Sequence, residues 1–269
     1  MKKIIVVSDT HCGHVAGLTP PQFQLSEYDG STTKRNKWAV LQKELWQHFV
    51  NLLEKHKPFD VCFSLGDVIE GKGGKSGATE LITADRDEQS DMACEIFRQI
   101  RKRSNDGFKI IGVYGTGYHV SSEGGEDWEN IVAERAEFTK IGSHEWVDVN
   151  GCIFDLKHHL GGSSIPHGRF TAPARERLWN MLWAERDYQP KASVILRGHV
   201  HYAAHCGEPG WLAMSVPALQ GMGTKYGARR CSGIVHWGIT IFTVDTDGGF
   251  DWNCEVVTID SQKAKALKI

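Results

Sequence analysis

The stretch Lys3-Ile4-Ile5-Val6-Val7-Ser8-Asp9-Thr10-His11 opens the chain, and the rest is organised around it. Lys3 to Val7 is a short, mostly β-branched apolar run, the pattern of a buried strand. Asp9 and His11 therefore stand where that strand ends and the chain turns. Two residues apart at a strand end, a carboxylate and an imidazole can aim at one point and share a cation. An isolated Asp-x-His triplet is equally an ordinary polar strand end, so the weight falls on whether the pattern recurs.

It recurs four times. Val61-Cys62-Phe63-Ser64-Leu65 runs into Gly66-Asp67, and Phe108 to Tyr114 runs into Gly115-Thr116-Gly117-Tyr118-His119. Ile153 to Lys157 leads to His158-His159, and Ser193 to Leu196 leads to Arg197-Gly198-His199-Val200-His201. Each apolar run delivers Asp or His where it stops, an order that chance does not produce.

In this ordered set the chain resembles the calcineurin-like metallophosphoesterases. Their pattern is Asp-x-His, Gly-Asp, Gly-Asn-His, a lone His and Gly-His-x-His. The matching positions run from about residue 4 to 201. The wording Gly115-Thr116-x-x-His119 and His158-His159 is similar to a branch found in phage and prophage genomes. The resemblance implies an α/β fold with a two-sheet β-sandwich core flanked by helices, four layers deep (αββα), as one domain over residues 1–269.

The resemblance also implies a site. Asp9, His11 and His201 hold one divalent ion, and Asp67 bridges to a second whose other ligands are His158 and His199. His159 remains an alternative to His158, since neighbours on a strand point to opposite faces. The attacking group is a metal-held hydroxide, and His119 is the general acid. The mixed nitrogen and oxygen donors suit Mn, which is favoured, or Fe, Zn, Ni or Co. The third block departs from the pattern, because the family's Asn is missing. By strand register Thr116 takes its position, so either Thr116 is a weak substitute ligand or His119 swings onto the metal.

The function so implied is hydrolysis of a phosphodiester, with nucleic acid or a nucleotide as substrate. A phosphomonoesterase, or a metal-binding scaffold without turnover, are the alternatives. Aromatic and cationic residues in the loops (Tyr28, Lys34, Arg35, Trp38; Arg169, Arg175, Arg177; Tyr226, Arg229, Arg230) suit bases and phosphates, and equally an ordinary surface. The segment Gly71-Lys72-Gly73-Gly74-Lys75-Ser76 lacks the spacing of a phosphate-binding loop and reads as a mobile loop beside the site.

The 269 residues are 41% hydrophobic and 24% charged, as in ordinary globular proteins, and the net charge of −2 mandates neither nucleic acid nor membrane. Of the seven cysteines, none with CxxC spacing, most read as reduced core residues of a cytoplasmic protein. The chain enters its first strand at once, leaving no room for a signal peptide, and no apolar run is long enough to span a bilayer. The sequence is silent on oligomeric state.

Apolar spacing predicts helices over Trp38–Leu53, Asp87–Arg103, Glu126–Ala136 and Pro173–Tyr188, the last packing through Leu178, Leu182 and Trp183. Trp146 to Phe154 reads as a hairpin turning at Asn150-Gly151. Further strands are expected at 211–215, 234–245 and 250–259. Cys12 to Arg35 reads as a long irregular segment. His14, His48, His56, His144, His167, His205 and His236 read as packing or surface residues.

Overall fold

The computed structural model describes residues 1–28, 35–120, 127–224, 227 and 235–268. The expectations for Lys34, the Lys75 side chain, Tyr226, Arg229, Arg230 and Cys231 lie outside the described residues. The elements in chain order are β1 (Lys2–Val7), α1 (Lys37–His56), β2 (Phe59–Ser64), α2 (Arg86–Arg101) and β3 (Ser104–Val113). A single turn, α3 (Gly117–Val120), precedes α4 (Trp128–Arg135), β4 (Lys140–Gly142), β5 (Glu145–Val149) and β6 (Cys152–Lys157). Then come α5 (Thr171–Ala184), β7 (Val194–Arg197), β8 (Ala204–Glu208), β9 (Trp211–Ser215), β10 (Trp237–Val244) and β11 (Phe250–Val257).

Two mixed sheets result, flanked by helices. The first runs β11-β10-β1-β2-β3-β4 and the second β5-β6-β7-β9-β8. Strands β1 to β4 are parallel, as are β6, β7 and β9, so the β1, β2, β3, β6 and β7 C-terminal ends gather in two groups. Strand alternation explains the apolar runs. Ile4 and Val6 face the core between the sheets, with Phe63, Phe154, Leu196 and Phe242. Ile5 and Val7 face the other way, against Leu45, Phe49 and Phe97 of α1 and α2. Phe154 sits 5.2 Å from Phe63 and 5.3 Å from Phe242, ring to ring. Truncating such a ring costs about 3–5 kcal/mol, so Phe154→Ala is the change that most directly parts the sheets.

Side-chain caps start the helices: Asn36, Asp85 and Asp127 each accept from a backbone N–H two residues on. Strand β3 begins four residues earlier than its apolar run, and a register jump between Phe59↔Ser104 and Val61↔Lys109 absorbs the extra chain. The first part of the Cys12–Arg35 segment is ordered: residues 12–20 are buried, and Cys12 and His14 make bridges to Ile69 and Leu81.

Helix α5 corrects an expectation. Leu178, Leu182 and Trp183 do not pack inward; with Trp179 and Met181 they are 40–56% exposed. The helix docks on β7, β8 and β9 instead, burying only Ala172, Pro173 and Asn180. Asn180 holds the following loop through Pro190 O (3.0 Å) and Ala192 N (2.9 Å). Among the described residues, no helix is long and apolar enough to cross a membrane.

Candidate metal centre

The loops after β1 and β2 are zipped together by backbone. Asp9 N donates to Gly66 O, His11 N to Asp67 O and Cys12 N to Val68 O, each at 3.0 Å, and Glu70 N returns to Cys12 O at 2.9 Å. Asp9, His11 and Asp67 are thereby fixed side by side. From the second sheet, His199 N donates to Asp9 Oδ2 (3.1 Å) and Gly198 N to His158 O (2.9 Å), bringing the other histidines over the same spot. A side chain at Gly198 would strike Ser8 Oγ and Asp9 Oδ2, so glycine is what lets the two sheets' loops meet. Asp9, His11, Asp67, His199 and His201 all have left-handed φ between 43° and 72°. Such backbone is costly for residues with a Cβ and clusters at functional sites.

The side chains form two donor sets. Asp9, His11 and His201 make the first: His201 Nε2 is 3.1 Å and His11 Nε2 3.9 Å from Asp9 Oδ1. Asp67, His158 and His199 make the second: His158 Nε2 is 3.1 Å from Asp67 Oδ2 and 3.3 Å from His199 Nδ1. Asp67 Oδ2 is also 4.0 Å from His11 Nε2, so it stands between the sets. Thr116 Oγ1 is 3.3 Å from both His158 Nε2 and His199 Nδ1 and 3.2 Å from Asp67 Oδ2. His11 Nε2 is buried without a hydrogen-bond partner, and Asp9 Oδ1, equally buried, has only the His201 ring nitrogen at 3.1 Å beside it. Buried polar atoms without partners are expensive, and lone pairs converging this way fit divalent cations held by nitrogen and oxygen.

Electrostatics agree. Burial would push His11 down, but its hydrogen bond to Glu70 and the charges of Glu70, Asp67 and Asp9 lift it to about 9. Burial likewise opposes His158, yet Asp67, aided by Asp9, raises it to about 10. Burial also penalises the Asp9 and Asp67 carboxylates, and the facing histidines nonetheless hold both well below the usual range. His199 goes down to about 4, through burial and the His158 charge.

A supporting layer orients these groups. Glu70 Oε2 accepts from His11 Nδ1 at 2.8 Å, and Leu65 O from His158 Nδ1 at 2.6 Å, leaving each Nε2 turned to the centre. His119 lies beside His11, ring centroids 4.9 Å apart, with Nδ1 donating to Glu70 O at 2.9 Å. The grouping of His11, Glu70 and His119 is therefore held together by hydrogen bonds to Glu70. Glu129, buried, takes N–H donors from Val68 (3.0 Å) and Gly115 (2.5 Å), tying the Asp67 loop to the Thr116 loop. Burial, then the Asp67 charge, raises its carboxyl to about 8.

The structure thus brings together Asp9, His11, Asp67, Thr116, His158, His199 and His201, with His119 adjacent. His159 is exposed and lies outside the donor sets, its ring 4.7 Å from that of His199. Cys12 Sγ contacts Thr10 Oγ1 and Leu18 O, and burial drives its thiol up to about 12, so it is a packing residue. Lys72 is exposed. Sequence reasoning missed Glu70 and Glu129. Glu70 has a legible signal, lying three residues past Asp67 in the same loop after β2.

No family model and no curated protein matches the chain. Among solved structures it is similar to Vps29 of Entamoeba histolytica complexed with Zn²⁺, at 12% identity and TM-score 0.45, over 93% of this chain and 97% of that one. It is similar to an archaeal phosphodiesterase at 13% identity and TM-score 0.43, over 93% and 98% of the two chains. A conserved Streptococcus pneumoniae protein described as a predicted phosphoesterase follows at 11% identity and TM-score 0.40, over 95% and 92%.

Proposed function

We propose that this protein is a calcineurin-like metallophosphoesterase that hydrolyses a phosphodiester at a pair of divalent cations. The observation that carries the reading is Asp67 Oδ2, standing between two donor sets at 3.1 Å from His158 Nε2 and 4.0 Å from His11 Nε2. Asp9, His11 and His201 would hold one ion, His158, His199 and Thr116 the other, and Asp67 both. Such a pair, when bound, lowers the pKa of water and neutralises charge on a phosphoryl group under attack. His119 supplies the proton to the departing oxygen from Nε2, its Nδ1 being occupied by Glu70 O. Tyr118, exposed and edge-on to His119 at 5.0 Å, offers a ring on which a departing nucleoside can stack.

Turnover of bis(p-nitrophenyl) phosphate by the full chain, with Mn²⁺ and then Fe²⁺, Zn²⁺, Ni²⁺ or Co²⁺ supplied, tests the reading. Asp67→Asn should abolish it while the fold survives, since Asp67 sits at a strand end and not in the core. Undiminished turnover in that variant sinks the assignment. Faster turnover of p-nitrophenyl phosphate than of the diester would make the protein a monoesterase. One observation favours a second reading, a metal-binding scaffold: Thr116 stands where the family has Asn. Tight metal binding with no turnover of any phosphoester would establish it.

A further inference from the structure

On the face of the second sheet that does not pack against the first lies a cavity of about 380 Å³ between β5, β6, β7 and α5. Its walls are aromatic: the His144 ring stacks on Trp146 at 3.9 Å and 29°, and Trp179, Trp183 and Tyr188 close the opposite side. Trp183 and Tyr188 meet edge to face at 5.8 Å, and both, with Trp179, are at least 40% exposed. The floor is an ion network. Arg197 Nη1 donates to Asp155 Oδ1 at 2.7 Å and Nε to Glu176 Oε2 at 3.0 Å, while His144 Nε2 lies 2.9 Å from the same Asp155 oxygen.

We propose that this cavity is a nucleobase site. Two carboxylates (Asp155, Glu176) against two cations (Lys157, Arg197) leave the lining without net charge, so neither a bare phosphate nor a metal ion is drawn in. An aliphatic side chain from a protein partner would strip water from that network and offer nothing polar in return. A flat heteroaromatic ring satisfies both parts: its faces stack on indoles and its edge meets carboxylate and guanidinium groups. The volume lies at the small end of ligand sites, enough for one base. Arg186, exposed and 5.9 Å from the Trp183 ring, is a cation within reach of a phosphate attached to a base stacked there. The site stands whether or not the metal centre turns over.

Adenosine, guanosine, cytidine and uridine are the probes, because they carry no phosphate for a metal centre, with ribose 5-phosphate as the base-free control. Quenching of tryptophan fluorescence in the full chain should saturate with nucleosides and not with the sugar phosphate. Trp183→Ala, a change on an exposed helix face, should weaken binding about ten- to a hundredfold and leave turnover of bis(p-nitrophenyl) phosphate unchanged. Trp183→Phe should restore most of the loss. A short single-stranded oligonucleotide that binds more tightly than nucleosides identifies a strand as the source of the base; equal affinity identifies free nucleotides. No saturable quenching by any nucleoside overturns the proposal, and so does equal affinity in Trp183→Ala. A change in oligomeric mass alone in that variant overturns it too, in favour of a second copy covering this face. No turnover of the diester by the wild-type chain, with nucleoside binding intact, would refute only the hydrolase reading.

Discussion

Glu70 Oε2 accepts a hydrogen bond from His11 Nδ1 at 2.8 Å, both side chains being nearly out of solvent. The bond fixes the tautomer that leaves His11 Nε2 free and makes that nitrogen a better donor. Losing an orienting partner of this kind typically costs about 10- to 100-fold in metal affinity. Glu70→Ala should therefore weaken loading by that amount with the secondary structure unchanged, while Glu70→Gln should lose less. Competition against a chromogenic chelator gives the number. Unchanged affinity in both would mean that His11 is not a ligand through Nε2.

A proton on His119 matters only when the leaving oxygen needs one. Burial, then the nearby His11, lowers its pKa below the ordinary 6.5. His119→Asn should slow an alkyl or nucleoside diester by about 10²- to 10⁴-fold and slow a nitrophenyl ester far less. In the wild type, kcat for the alkyl substrate should decline as pH rises through that lowered pKa. Equal losses on both substrates would make His119 a ligand instead of an acid.

His14 predicts how the fold meets acid. Its Nδ1 accepts from Ala16 N at 3.0 Å, which requires an unprotonated nitrogen, and burial holds the ring down to about 4 from 6.5. The unfolded chain takes up its proton near 6.5 and the folded one does not, so the contribution is complete above that pH. It is lost progressively as pH falls from 6.5 to 4, by about 3 kcal/mol at about 1.4 kcal/mol per unit. His14→Asn keeps an acceptor and removes the titration, so its urea midpoint should fall less steeply across that window. An equally steep fall would place the acid sensitivity elsewhere.

The strand ends were legible because β1, β2 and β7 are buried on both faces, so their apolar runs stop abruptly at the polar site. What the chain does next was not legible. Left-handed backbone at Asp9, His11, Asp67, His199 and His201 leaves no mark on composition, since the tertiary contacts impose it. Glu129 reads as one more charge in a helix until its burial on the side of Val132 and Ala133 is seen. Periodicity found α5 but assigned its face wrongly, because apolar spacing shows that a face exists and not what lies opposite. The short residues Ala172 and Pro173 and the hydrogen bonds of Asn180 decided the docking.

Thr116 is expected to set the order in which the two sets load. The first has Asp9, His11 and His201 with a share of Asp67; the second has His158, His199 and the same Asp67, completed only by a neutral hydroxyl. A hydroxyl is a weaker donor to a divalent cation than an amide oxygen. His158, raised to about 10, must also give up a proton at neutral pH, as must His11 at about 9, so loading should release roughly two protons at pH 7. The expected course is stepwise, the second ion binding at higher concentration or once inorganic phosphate completes its surroundings. Calorimetric titration of chelator-stripped protein in buffers of different ionisation enthalpy measures affinities and protons together. Thr116→Asn should tighten the weaker step and leave the stronger one alone. Two equally tight steps without phosphate would sink the idea, as would a Thr116→Asn variant whose weaker step does not move.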